Sequence, residues 1–128
     1  MEPIPKQAEL VAAQIVDAAI KVHRALGPGL LESVYEACLA YELTNRGLKL
    51  QRQIELPVVY DHVRLETGLR LDLVVESLVI VELKAVEKMI PLFQSQLLTY
   101  LKLSNIRLGL LINFNVPLVK DGITRLVR

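Results

Sequence analysis

Polar and apolar residues alternate at helical spacing through residues 6–26. Gln7, Gln14, Asp17, Lys21 and Arg24 mark one side, and Val11, Ile15, Ala19, Val22 and Leu26 the other. This predicts an amphipathic helix, weakly supported by Asp17 and Lys21, four apart with the acid first. Gly27-Pro28-Gly29 stops it. A second helix is predicted from about Leu30 to Arg46, with Gly47 as its C-terminal stop. Its apolar stripe takes in Leu31, Val34, Tyr35, Cys38 and Leu39. That stripe sets Glu32 at the inner edge of the helix rather than on its solvent side.

Three strand-like runs follow, at 49–60, 63–75 and 78–86. Asp61-His62 reads as a turn, Thr67-Gly68 as a bend or bulge, and Glu76-Ser77 as a break. Strands this close in sequence pair antiparallel. Residues 91–103 form a further predicted helix with Pro91 in its first turn, and Leu92, Gln96, Tyr100 and Leu103 fall along one face. Ile106 to Phe114 is an apolar strand ended by Asn115-Val116-Pro117. Lys120-Asp121-Gly122 is a turn, and Ile123 to Val127 a short last strand. The order is ααβββαββ, an α/β chain expected to form one domain over residues 1–128.

Within this pattern one segment breaks the rule that charge stays out of apolar runs. Leu78-Val79-Ile80-Val81-Glu82-Leu83-Lys84-Ala85-Val86 carries Glu82 and Lys84 two residues apart, so both project from one face of a strand. The aliphatic neighbours predict a strand covered on both faces. Unpaired charges there cost several kcal/mol, roughly, and a metal ion with its substrate is one way to offset that. A second acid, Asp72, lies in the apolar run Leu71-Asp72-Leu73-Val74-Val75. Hairpin arithmetic decides whether the two acids meet. A two-residue loop at Glu76-Ser77 puts them on opposite faces, whereas a three-residue loop, Glu76 to Leu78, pairs Val75 with Val79 and Asp72 with Glu82. Two carboxylates that close repel unless a cation lies between them. The three-residue register, or a bulge with the same effect, is the expected one.

Composition narrows the classes. Hydrophobic residues make up 52% of the chain and charged residues 23%, which excludes a disordered protein. No apolar run reaches the ~20 residues that span a bilayer, so no membrane association is expected. The start, Met1-Glu2-Pro3-Ile4-Pro5-Lys6, lacks the features of a signal peptide. A lone cysteine, Cys38, fits a reducing, cytoplasmic setting. The net charge of +1 is not that of a protein that coats nucleic acid, but it says little against an enzyme that touches a few phosphates. Lys49, Arg52, Arg64 and Arg70 lie on the first two strands, where they could track a phosphate backbone or form a solvated sheet face. His23 and Cys38 read as structural, His62 as a turn residue, and Tyr41 and Tyr60 as packing residues.

Taken singly, each candidate has a plain structural account. Glu82 and Lys84 could be an ion pair on one strand. Glu32 could favour the positive end of its helix. Asp72 could cap or bend a strand, and Gln96 and Tyr100 could be surface and core residues.

Taken together, Asp72, the Glu82-Leu83-Lys84 strand and the flanking helices resemble the PD-(D/E)XK nuclease superfamily. The resemblance is closer to one branch of it, the small GxxExxY proteins. Gly29-Leu30-Leu31-Glu32-Ser33-Val34-Tyr35 fits the motif that names them, and residues 79–87, 96–103 and 108–123 look similar as well. The resemblance implies a restriction-endonuclease-like core, a mixed four-stranded sheet flanked by helices. It implies a site for Mg²⁺ or Mn²⁺ built from Asp72, Glu82 and the backbone carbonyl of Leu83, with Lys84 as the catalytic lysine. Glu32 would be the helical acid of the RecB-like nucleases and a further metal ligand, and Gln96 and Tyr100 would be their Gln-x-x-x-Tyr motif. Two positions depart from the pattern. Phe93 stands where these proteins often carry histidine, and Leu71 stands before Asp72 in place of proline, at a position known to vary.

The implied activity is metal-dependent hydrolysis of phosphodiester bonds in DNA or RNA. A catalytically weak or inactive relative that binds nucleic acid or a protein partner through the same cleft is the alternative, and a structural or regulatory dimer is a third. So small a surface also makes self-association or a partner protein an expectation.

Overall fold

The structure, a computed structural model, describes residues 2–128, with the backbone alone at Thr67. Met1, which opens the stretch read for a signal peptide, lies outside the described residues. The elements run α1 (Lys6–Leu26), α2 (Glu32–Asn45), β1 (Leu50–Tyr60), β2 (Val63–Val75), β3 (Val79–Lys84), α3 (Pro91–Ser104), β4 (Leu108–Asn113), a short 3₁₀ turn (Val119–Gly122) and β5 (Ile123–Val127). The strands form one mixed sheet in the order β1-β2-β3-β4-β5. Only β3 and β4 pair in parallel, joined through α3; the other neighbours are antiparallel. The expected restriction-endonuclease-like α/β architecture is present, with five strands rather than four because β5 pairs along β4.

Helices cover both faces of the sheet. On one face α1 and α2 bury Val11, Ile15, Ala18, Ala19, Tyr35, Leu39 and Leu43 against Leu73, Val75, Val79, Val81, Leu83 and Leu110. On the other, Leu97 and Leu101 of α3 pack on Val74, Ile80 and Leu111. The alternation in β3 is what pattern reading requires: odd residues face α1 and α2, and even ones face α3. Gly109 lets α3 sit close, since a Cβ there would lie 3.1 Å from the Leu97 side chain.

The β1–β2 hairpin turns at Asp61 and His62, both left-handed (φ 47° and 70°), as a two-residue hairpin turn requires. Its register shifts between the pairs Leu56↔Leu69 and Val58↔Leu65, the expected bulge around Thr67-Gly68. A side chain at Gly68 would collide with the carbonyl oxygen of Leu56.

Three expectations are corrected. Leu26 ends α1 at 38% exposure instead of on its buried side. Asp17 and Lys21 do not pair within α1. Asp17 pairs with Arg46 and Lys21 with Glu42, so the ions tie α1 to the α2 end of the layer. Tyr41 and Tyr60 are exposed rather than packed. His23, by contrast, is buried with Nε2 3.1 Å from the Phe114 carbonyl oxygen, a structural role as expected. Cys38 packs half-buried against the core.

Candidate functional site

The hairpin between β2 and β3 decides whether the acids meet. Val75 pairs with Val79, Val74 with Ile80 and Leu73 with Val81. The next step in that register sets Asp72 opposite Glu82, the arrangement the three-residue loop predicts. Glu76 and Ser77 in the loop are both left-handed (φ 54° and 56°), and the Leu78 N–H donates to the Val75 carbonyl.

Side chains then replace the backbone ladder. The Asp72 N–H donates to Glu82 Oε2 (3.1 Å), and the Leu83 N–H donates to Asp72 Oδ2 (2.8 Å). Each carboxylate is thus pinned through one oxygen by a backbone amide on the opposing strand. Glu82 is buried at 7% exposure and Asp72 is half-buried. Burial drives the Glu82 carboxyl up to about 9; the side chain of Asp72, by hydrogen bond and by negative charge, adds to the rise, while the Asp72 N–H and Lys84 partly oppose it.

Lys84 follows on the same face of β3. Its ammonium lies 4.4 Å from the centre of the Phe93 ring, in the first turn of α3. On that helix Gln96 and Tyr100 are half-buried. Burial holds the Tyr100 hydroxyl above the ordinary tyrosine range, and the charges of Glu82 and Asp72 push it further. Tyr100 therefore stands within electrostatic reach of both acids.

Glu32 is placed differently. It is exposed in the first turn of α2, and the inner position belongs to Glu36, buried at 7% exposure. The buried stripe is Tyr35, Glu36, Leu39, Ala40 and Leu43, rotated away from Leu31 (74% exposed) and Val34. Tyr35 sets that rotation. Its ring stacks on Phe114 (4.5 Å between centroids), while its hydroxyl donates to the Gly27 carbonyl and accepts from the Leu30 N–H. The motif tyrosine thus fastens the α1–α2 turn.

Glu36 can face inward because it is paired. Arg52 meets its Oε2 through Nε and Nη2, each at 3.1 Å, and the Gln53 amide donates to its Oε1. The same Gln53 nitrogen lies 3.5 Å from Asp72 Oδ1. Neither Glu36 nor Gln53 was singled out from sequence. A charge at i+1 from a core tyrosine reads as solvated, and β1 reads as a regular strand. Asn113 was missed too. Buried beside Lys84 at the end of β4, it accepts from the Val86 N–H and donates to the Val86 carbonyl, fixing the chain just after the lysine.

The basic residues of the hairpin do not form a free stripe. Arg52, Arg64 and Arg70 are paired with Glu36, Glu66 and Glu55. This favours the reading of a solvated sheet face over that of a phosphate track.

The donor set fits a hard divalent cation. It is all oxygen, from two carboxylates, and a carboxyl kept neutral chiefly by burial is what a cation would convert to an ion pair. With one oxygen of each acid held by a backbone amide, Asp72 Oδ1 and Glu82 Oε1 are the atoms left for an ion, and the Leu83 carbonyl is adjacent in sequence. Among the described residues no three His, Cys, Asp or Glu side chains converge in a way that could hold a metal ion.

A family model described as the PD-(D/E)XK nuclease superfamily matches residues 9–126, from α1 into β5. Comparison with curated proteins and with solved structures gives no match. No helix among the described residues is long and apolar enough to cross a membrane.

Proposed function

The chain belongs to the PD-(D/E)XK nuclease superfamily, and on that footing we propose that it hydrolyses phosphodiester bonds in DNA or RNA with Mg²⁺ or Mn²⁺ held by Asp72 and Glu82. The observation that carries this reading is the mutual lock of the two acids across β2 and β3, with Lys84 beside them. A divalent cation bound there supplies Lewis acidity toward a phosphate oxygen and lowers the pKa of a bound water.

The chain's own groups do the rest. Asp72 and Glu82 offer the two anionic oxygens, and the Leu83 carbonyl a third oxygen. Lys84 places a positive charge where negative charge grows on phosphorus. The ring of Phe93 holds that ammonium without neutralising it. Tyr100 keeps its proton at neutral pH, so it is a hydrogen-bond donor for a phosphate oxygen. Gln96, one turn earlier on α3, offers a second neutral donor.

Cleavage of single- and double-stranded DNA and RNA in Mg²⁺ or Mn²⁺ tests this reading. Wild type is expected to cut at least one of these substrates, and Asp72→Ala and Lys84→Ala to lose that cutting by 100-fold or more, roughly. Equal cutting by Lys84→Ala would overturn it, as would no cutting of any of the four by wild type.

A further inference from the structure

β1 and β2 change faces at one point. Leu50 of β1 and Leu73 and Val75 of β2 pack on the α1–α2 side, yet Ile54 and Leu71 pack on the α3 side. Simple alternation would keep 50 with 54 and 71 with 73. The exchange falls at Gln53 and Asp72, which stand opposite each other between the pairs Arg52↔Leu73 and Ile54↔Leu71. Gln53 is left-handed there, with φ 50°, inside a strand and with a full side chain. Such backbone is uncommon for a residue other than glycine and persists only where its surroundings hold it.

The consequence is local. Consecutive strand residues ordinarily point to opposite faces, but Arg52 and Gln53 both reach Glu36. The Gln53 amide then sits between the Glu36 and Asp72 carboxylates.

We infer that Gln53 is a positioning residue for the metal site: anchored by Glu36, it orients Asp72 Oδ1, one of the two oxygens that would hold a divalent cation. This rests on the proposed metal site. The Leu83 amide fixes one oxygen of Asp72, and the Gln53 amide fixes the rotation of the other from the opposite strand. Partners of this kind orient metal-binding side chains and commonly change metal affinity by about 10–100-fold.

Glycine tests it, because glycine accepts the left-handed backbone while removing the side chain that carries the amide. Mn²⁺ titration calorimetry and metal-free melting would be run on wild type, Gln53→Gly and Gln53→Asn; asparagine also tolerates this backbone but is one methylene shorter. Gln53→Gly is expected to bind Mn²⁺ about tenfold more weakly, with Gln53→Asn weakened in the same direction. Wild-type affinity in both variants overturns the inference while the metal site stands. A lowered Tm in Gln53→Gly with unchanged affinity also overturns it, leaving Gln53 a purely structural residue. Absence of Mn²⁺ binding by wild type removes the site itself, and the inference with it.

Discussion

The ammonium of Lys84 lies over the ring of Phe93, 4.4 Å from its centre. A lysine two residues from a buried glutamate would ordinarily fold onto that carboxylate, but here an aromatic face competes for it. The ring attracts the ammonium without forming an ion pair with it, so the charge is left available to a phosphate. Contacts of this kind contribute about 0.5–2 kcal/mol.

From this, Phe93→Leu is expected to slow cleavage by about 2- to 30-fold, the rate equivalent of that range. Leucine keeps an apolar side chain against the α3-side core, so Tm should shift little. Single-turnover rates at saturating Mg²⁺ check it. A rate unchanged from wild type would show that the ring has no part in placing the lysine.

Glu82 gives a pH prediction. Its ordinary pKa is 4.5, and burial with the Asp72 carboxyl beside it raises it to about 9 in the fold. Between these values the folded chain holds a proton that the unfolded chain has released. The metal-free protein therefore keeps this contribution in full below about 4.5 and loses it as pH rises toward about 9, by at most about 1.4 kcal/mol per pH unit. Melting in EDTA across that window should show Tm falling for wild type. Glu82→Gln, which cannot ionise, should flatten the fall and be the more stable protein at the alkaline end. Parallel curves for the two proteins would contradict the assignment.

The same proton makes ion binding pH-dependent. A cation must displace it, so Mn²⁺ affinity should rise with pH by up to about tenfold per unit until Glu82 is ionised. Titration calorimetry in two buffers of different protonation enthalpy would detect the released proton. No proton release at neutral pH would contradict the raised carboxyl.

Glu36 and Glu32 separate in a stability measurement. Glu36→Ala leaves Arg52 and the Gln53 amide without their shared acceptor. Arg52 is 46% exposed in its side chain, so water recovers part of the loss, and the expected cost is about 1–3 kcal/mol. Glu32→Ala, at an exposed helix start, should fall within about 0.5 kcal/mol. Urea unfolding compares them, and equal costs would contradict the burial difference. Mn²⁺ titration of Glu32→Ala also tests the acid that the family resemblance put forward as a ligand; unchanged affinity is expected.

Much of this arrangement is legible in the chain. The 3.6-residue period of residues 6–26 marks α1 to its ends, because its apolar stripe repeats through the whole run and Gly27 follows. The β2–β3 register follows from loop length, because only three residues between Val75 and Val79 put Asp72 opposite Glu82. What the sequence hides is rotation and backbone hand. Tyr35, bonded to the preceding turn and stacked on Phe114, turns α2 so that Glu36 points in and Glu32 out, and stripe counting misses a shift of one residue. Gln53 hides for another reason. Nothing in a glutamine announces a left-handed residue, and the face exchange it makes with Asp72 violates the alternation by which strands are recognised. The Arg52–Glu36 pair then links a strand to a helix across 16 residues, beyond the reach of any local pattern.

The central claim is that Asp72 and Glu82 hold one divalent cation between them. Crystals soaked in Mn²⁺ and measured for anomalous scattering test it most directly. The account predicts a single strong peak within about 2.0–2.3 Å of an oxygen of each acid, absent from crystals of Glu82→Gln. A peak elsewhere with none between the acids, or an ion bound equally by Glu82→Gln, would contradict it.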